Sequence, residues 1–122
     1  MVAIVDYGAG NLTSVASAVR HLGEEPRITR SPQEILRADR VIFPGVGAAG
    51  ASMGNLKRLG LDDAIRQVFR GGRPLLGICN GFQVIFNDSE EDGGTGCLGL
   101  LEGTVKRFQF PPGVVRKVPH MG

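Results

Sequence analysis

An apolar run from Pro74 to Ile78 stops at a single Cys79, with Gly77 and Gly81 two positions to either side. Phe82, Ile85 and Phe86 follow at helical spacing. This pattern predicts a strand, a sharp turn with a thiol at its tip, and a helix that starts almost at once. It is the geometry of the Gly-x-Ser-x-Gly nucleophile elbow with sulfur in place of oxygen. Two residues without a Cβ let strand and helix approach closely around a strained nucleophile. A helix N-terminus aimed at the sulfur favours thiolate over thiol. The bland alternative is a small buried thiol at a strand end, and the elbow spacing favours the nucleophile.

The rest of the chain is arranged to match. Met1 to Asp6 is a near-continuous apolar strand, as in parallel sheets covered on both faces. A turn at Gly8-Ala-Gly10 leads to a helix carrying Leu12, Val15, Ala16, Val19 and Leu22, with Asn11 as its cap and Gly23 as its stop. Pro26 to Thr29 reads as a short strand near an edge. Ser31-Pro32-Gln33-Glu34 carries a capping box with proline at the first helical position. Val41 to Phe43 is a buried strand ending at Pro44-Gly-Val-Gly47. A helix around Met53 to Leu59 follows, then one capped by Asp62 and stopped at Gly71-Gly72. Beyond the elbow, Asp92 to Gly99 is expected as a glycine-rich loop, and Gly103 to Phe108 and Val114 to Val118 as further strands.

Strands alternating with helices at this spacing predict one α/β domain over residues 1–122, an open, mostly parallel sheet with helices on both faces. Functional groups in such sheets collect at the carboxyl ends of the strands. The turns at Gly8-Ala-Gly10, Pro44-Gly-Val-Gly47 and Cys79 all fall there. A chain of 122 residues is long enough for one core and no more.

Several function classes are disfavoured. The net charge is +2 with the basic residues scattered, and one Tyr with no Trp leaves little for base stacking, so nucleic acid is not expected. No apolar run is long enough for a membrane span. The expected setting is the reducing cytoplasm, with Cys79 and Cys97 unpaired. Gly8-Ala-Gly10 lacks the third glycine and the following acid of a dinucleotide fingerprint, and Cys97 has no partners at metal-ligand spacing. Neither cofactor nor metal is expected. His21 fits a helix C-terminus without a function. His120, the only other imidazole, is by residue type the candidate base for Cys79, although it lies two residues from the last position. Glu90, Glu91 and Asp92 read as a solvated loop or helix end.

Around Cys79, the glycine-flanked Pro44-Gly-Val-Gly47 can present the Val46 N–H to a developing oxyanion, with a second N–H from Asn80. Together with Asp6-Tyr-Gly-Ala-Gly-Asn-Leu12, Arg73-Pro-Leu-Leu-Gly-Ile-Cys79, Leu98-Gly-Leu-Leu-Glu-Gly103 and Lys117-Val-Pro-His-Met-Gly122, these motifs carry a resemblance over the whole chain. It resembles the class I, triad-type glutamine amidotransferases. More narrowly, it is similar to the glutaminase subunits of imidazole glycerol phosphate synthase, in histidine biosynthesis. The resemblance implies a flavodoxin-like fold. It implies that Cys79 attacks the carboxamide of glutamine, that Val46 and Asn80 supply oxyanion-hole N–H groups, and that Gly45, Gly47 and Gln83 line the bound glutamine. The Pro-Gly-Val-Gly segment of that family switches conformation when the partner's ligand binds. The ammonia would pass to a cyclase subunit, a (β/α)8 barrel, in a heterodimer. His120 would then belong to an interface loop and not to the catalytic set.

Three departures stand out. The family's catalytic His and Glu, spaced His-x-Glu, lie downstream of Pro-His-Met-Gly, and no His-x-Glu occurs in these 122 residues. The expectation is therefore a sheet incomplete at its C-terminal side and a chain inactive alone, or a degenerate one. Asn80-Gly-Phe82 stands where this subfamily more often has Leu-Gly-Met, and resembles the amidotransferases of formylglycinamide ribonucleotide amidation in purine synthesis. The side chain at position 80 is expected to be loosely constrained. Ala49 replaces a commoner phenylalanine, which is expected to loosen packing beneath the oxyanion segment.

Overall fold

A computed structural model describes residues 1–118. Four parallel strands form the main sheet: β1 (Val2–Val5), β2 (Pro26–Thr29), β3 (Arg40–Phe43) and β4 (Leu75–Gly77), in the order β2-β1-β3-β4. β1 is buried along its whole length, which is why it reads as unbroken apolar sequence. Its alternate residues face two separate apolar clusters, where chain length alone implies a single core, because a sheet covered on both faces divides the interior. Ala3 and Val5 join Val41 and Phe43 beneath α2 (Pro32–Arg37), α3 (Ala49–Leu59) and α4 (Leu61–Arg70). Val2 and Ile4 pack with Ala16 and Val19 of α1 (Leu12–His21) on the other face. The expected open parallel sheet with helices on both faces is the observed one.

The local signals behave as their chemistry dictates. The Asn11 side chain accepts the Ser14 N–H at 3.2 Å, and the Ser31 hydroxyl accepts the Glu34 N–H at 3.3 Å with Pro32 opening α2. Asp62, expected as a cap, is instead in the first turn of α4. The helix begins two residues earlier, at Leu61, because Gly60 takes φ +69° and turns α3 directly into α4. Asp62 pairs with Arg66 at 3.2 Å.

The last third departs further. α5 (Asn80–Gln83) is a single turn, although the helical spacing runs on to Phe86. The carbonyls of Val84, Ile85 and Phe86 accept N–H groups from Leu98, Leu100 and Gly99, so the backbone closes onto that loop and does not extend the helix. Asp92 to Gly99 is more ordered than a loop. β5 (Asp88–Ser89), a 3-10 turn (Glu91–Gly93), β6 (Thr95–Gly96) and β7 (Thr104–Val105) build a second sheet in the order β6-β5-β7. Of Gly103 to Phe108 only Thr104 and Val105 pair. Val114 to Val118 forms no strand, because Val115 and Val118 stand exposed and no strand among the described residues offers them a ladder.

The chain runs from β1 outward to β2, then back across to β3 on the other side of β1. That reversal places a topological switch point between β1 and β3, where open α/β sheets bind ligands at the carboxyl ends of their strands.

Candidate active site

Three turns meet at this switch point. Cys79 caps β4 with φ +55° and ψ −120°, a conformation that favours glycine and strains any other residue. It is exposed, and both cysteines are free. A Cβ on Gly77 would stand 2.8 Å from the Phe82 Cα, and one on Gly81 would stand 1.9 Å from the Phe43 carbonyl oxygen. Both glycines are therefore demanded by close backbone approach, as the elbow pattern implies. The helix after the thiol is only one turn, so few aligned peptide dipoles point at the sulfur.

Pro44-Gly-Val-Gly47 lies directly against this elbow. The Asn80 N–H, one of the two expected oxyanion donors, donates to the Gly45 carbonyl at 3.1 Å. A trans peptide holds its C=O and N–H antiparallel. The Val46 N–H, on the same peptide as that carbonyl, therefore faces away from the elbow. Val46 is 59% exposed, whereas Gly45 is buried, and Gly47 takes φ +105°. Gln83 follows on the same turn, half-buried, its N–H donating to the Cys79 carbonyl. The structure thus brings Gly45, Val46, Asn80, Gln83 and Cys79 together. His120 lies outside the described residues.

A buried polar group beneath these turns has no strong sequence signature. Tyr7, at the end of β1, is 1% exposed, and a Cβ on Gly45 would come within 1.8 Å of its hydroxyl oxygen. Burial pushes its phenol up to about 12, against the opposing influence of the Ser52 and Asn80 side chains beside it. Neither reaches its hydroxyl with hydrogen-bond geometry, and the oxygen has no partner among the described residues. Asn80 is 2% exposed and donates its side-chain N–H to the Ser52 hydroxyl at 2.5 Å, while its own amide oxygen is unpaired among the described residues. The side chain at position 80 is therefore fixed, contrary to expectation: its burial against α3 demands a partner. The only sign of this group in the sequence is the lone tyrosine set directly after the first strand.

Two further residues escape local reading. The Glu91 carboxylate accepts the Ala49 N–H at 2.8 Å, and Asp92 accepts the Gly50 N–H at 3.1 Å. These acids cap α3 from 42 positions downstream, where sequence spacing gives no warning. Ala49 itself is buried in the main core. At the rim, burial raises the Asp6 carboxyl, but the Arg30 guanidinium at 2.8 Å and the Gly8 N–H outweigh it and leave its pKa below the ordinary value.

The comparison with known families decides what this constellation belongs to. The glutamine amidotransferase class-I family model matches residues 3–122. The chain belongs to the class-I glutamine amidotransferases. Among curated relatives of this amidotransferase, the imidazole glycerol phosphate synthase subunit HisH of Dehalococcoides mccartyi (strain CBDB1) is 52% identical over 122 residues, covering 100% of this chain and 58% of that protein. The subunit of the same name from Moorella thermoacetica is 52% identical over 99% of this chain and 56% of that protein. The chloroplastic synthase hisHF of Arabidopsis thaliana is 45% identical over 100% of this chain and 20% of its own length. The chain thus spans little more than half of the bacterial subunits it matches. A solved structure, described as a crystal structure of glutamine amidotransferase, superposes with a TM-score of 0.70. It covers 88% of this chain and 57% of the other at 23% identity, a likeness of fold.

Proposed function

We propose that this chain is the nucleophile-bearing portion of a glutaminase that supplies ammonia to imidazole glycerol phosphate synthesis in histidine biosynthesis. The observation that carries the reading is the strained Cys79 turn, held against the Pro44-Gly-Val-Gly47 segment through the Asn80 N–H to Gly45 carbonyl bond. The Cys79 thiolate attacks the carboxamide carbon of glutamine, forming a carbon–sulfur bond and an oxyanion. The carbon–nitrogen bond then breaks, and ammonia leaves with the proton returned by the general base. Water attacks the resulting thioester and releases glutamate, and the sulfur regains its proton.

In this reading Val46 and Asn80 stabilise the oxyanion, and Gly45, Gly47 and Gln83 line the substrate. The Gly45–Val46 peptide must first turn over, since its carbonyl holds the Asn80 N–H and its own N–H faces outward. That requirement supports a resting state that an outside event switches on. A cyclase barrel subunit is the proposed partner and recipient of the ammonia, with His120 at the interface and the assembly in the cytoplasm. These 122 residues contain no His-x-Glu, so the proposed base lies elsewhere and the chain alone is expected to be inactive. Removing the base of such a unit costs several orders of magnitude in rate.

The test is to read the complete coding sequence for an in-frame His-x-Glu and to assay its product for glutaminase activity, with and without a cyclase subunit, beside Cys79→Ser. Turnover that survives Cys79→Ser would sink the mechanism. Ammonia release by the 122-residue chain equal to that of the complete product would restore His120 as the base.

A further inference from the structure

The segment between β3 and α3 is anchored at both ends, and by different means. At its near end the Phe43 carbonyl accepts the Ile78 N–H at 3.0 Å, and Gly81 packs against the same carbonyl. At its far end it runs into α3, whose cap residue Ala48 makes no side-chain bond and whose first turn holds no acid. The unpaired N–H groups there are taken by Glu91 and Asp92. Gly50 is needed for this contact, since a Cβ would stand 2.8 Å from the Asp92 carboxylate oxygen.

The acidic turn is itself braced. The Ser89 hydroxyl, in a buried residue, accepts the Glu91 N–H at 3.2 Å. The Glu91 carbonyl accepts from the Thr95 hydroxyl at 3.1 Å and from the Gly94 N–H at 3.0 Å. Asp92 holds φ +57°, an unfavourable conformation for a residue with a Cβ, and keeps its carboxylate on Gly50. Between the anchors, Val46 is exposed and a Cβ on Gly47 would meet nothing.

We propose that Glu91 and Asp92 are positioning residues for the Pro44–Gly47 segment, fixing its far end so that the Gly45–Val46 peptide has two discrete orientations. With both ends held, that peptide can turn over by opposite changes in the flanking dihedrals while β3 and α3 stay in place. With the far end released, the segment samples many orientations and few of them present the Val46 N–H to the thiol. The inference rests on the glutaminase reading, in which that N–H serves the oxyanion.

The test uses Asp92→Gly, which removes the carboxylate and relieves the dihedral, and Glu91→Ala, against Asp92→Asn and Glu91→Gln, which keep an acceptor oxygen. Amide hydrogen exchange of the 122-residue chain is read at Asn80, whose N–H is held by the Gly45 carbonyl, and at Ala49 and Gly50, relative to Ile4 in β1. Glutaminase kcat and KM are read on the product of the complete coding sequence. Expected for Gly and Ala is exchange about tenfold faster at all three amides, with kcat down about tenfold and KM little changed, since a lost cap shifts local opening by roughly that factor. The Asn and Gln variants restore most of both. Faster exchange confined to Ala49 and Gly50 overturns the proposal, because the cap is then purely local. A raised KM with kcat intact also overturns it, because the carboxylates then serve substrate binding. A wild-type product without glutaminase activity defeats the functional reading instead, and exchange at Asn80, bonded to the Gly45 carbonyl, still decides whether the segment is clamped.

Discussion

The glycine of the site whose neighbours can yield least is Gly81. Its missing Cβ would meet the Phe43 carbonyl oxygen at 1.9 Å and the Phe43 carbonyl carbon at 2.8 Å. Both are backbone atoms of a paired strand and cannot yield. Gly81→Ala is expected to cost about 3 kcal/mol, the upper range for overpacking, measured by urea unfolding of the 122-residue chain. Gly45 differs, because its Cβ would meet the Tyr7 hydroxyl, a side-chain atom. Gly45→Ala is expected to cost roughly 2 kcal/mol, with Tyr7→Phe recovering about half in a double-mutant cycle. An additive cycle would show that the hydroxyl is not what Gly45 avoids. Tyr7 also makes its own report, since the chain has one Tyr and no Trp. Its phenol is raised from 10.0 to about 12 by burial. The folded state thus holds the proton more tightly than the unfolded state does. Stability from this group is fully present below pH 10 and is lost as pH rises from about 10 to about 12, by roughly 2–3 kcal/mol in all. Tyrosinate absorbance should titrate near 12 in the folded chain and near 10 in urea; a folded midpoint near 10 would mean that the hydroxyl reaches water.

At the scale of elements, α5 and α3 are joined through the Asn80 side chain and Ser52. Asn80→Asp removes the donor and buries a carboxylate beside the Ser52 and Tyr7 hydroxyls. It is expected to cost about 3 kcal/mol or more. Asn80→Leu combined with Ser52→Ala removes both partners of the bond and the unpaired amide oxygen, and should stay within about 1 kcal/mol of wild type. Equal losses in the two unfolding curves would assign the site to shape and not to polarity. This join also marks where the sequence stops being legible. Strands β1 to β4, helices α1 to α4 and the glycines of the elbow are set by periodicity, caps and close approach, all within a few residues of one another. Asn80 against Ser52, and Glu91 and Asp92 on α3, are contacts across 28 and 42 positions, and neither partner looks unusual locally. The shortening of α5 has the same origin: Leu98 to Leu100 capture its next carbonyls, and no helical propensity reports that competition.

Across the whole molecule the two faces of the sheet are not equally covered. The face under α2, α3 and α4 holds most of the buried side chains, whereas the other, among the described residues, is packed by α1. Leu76 pairs in register with Ile42, so it lies on the α1 face, yet it is 56% exposed. Ile78 and Phe82, beyond the end of β4, are 40% and 50% exposed. Among the described residues β4 is hydrogen-bonded to β3 only, so its outer edge is open as well. An open strand edge beside apolar side chains is a template for pairing with another chain. The 122-residue chain is therefore expected to self-associate with rising concentration in sedimentation velocity. Leu76→Thr should weaken that association while changing the unfolding free energy by no more than about 0.5 kcal/mol, as for a surface substitution. Leu76→Lys should weaken it further, because an edge lysine must be desolvated to pair. A chain that stays monomeric at all concentrations, or a Leu76→Thr variant that unfolds as a core mutant would, means that Leu76 is already covered by this chain's own residues. The α1 face would then be a second closed core, and the asymmetry between the two faces would disappear.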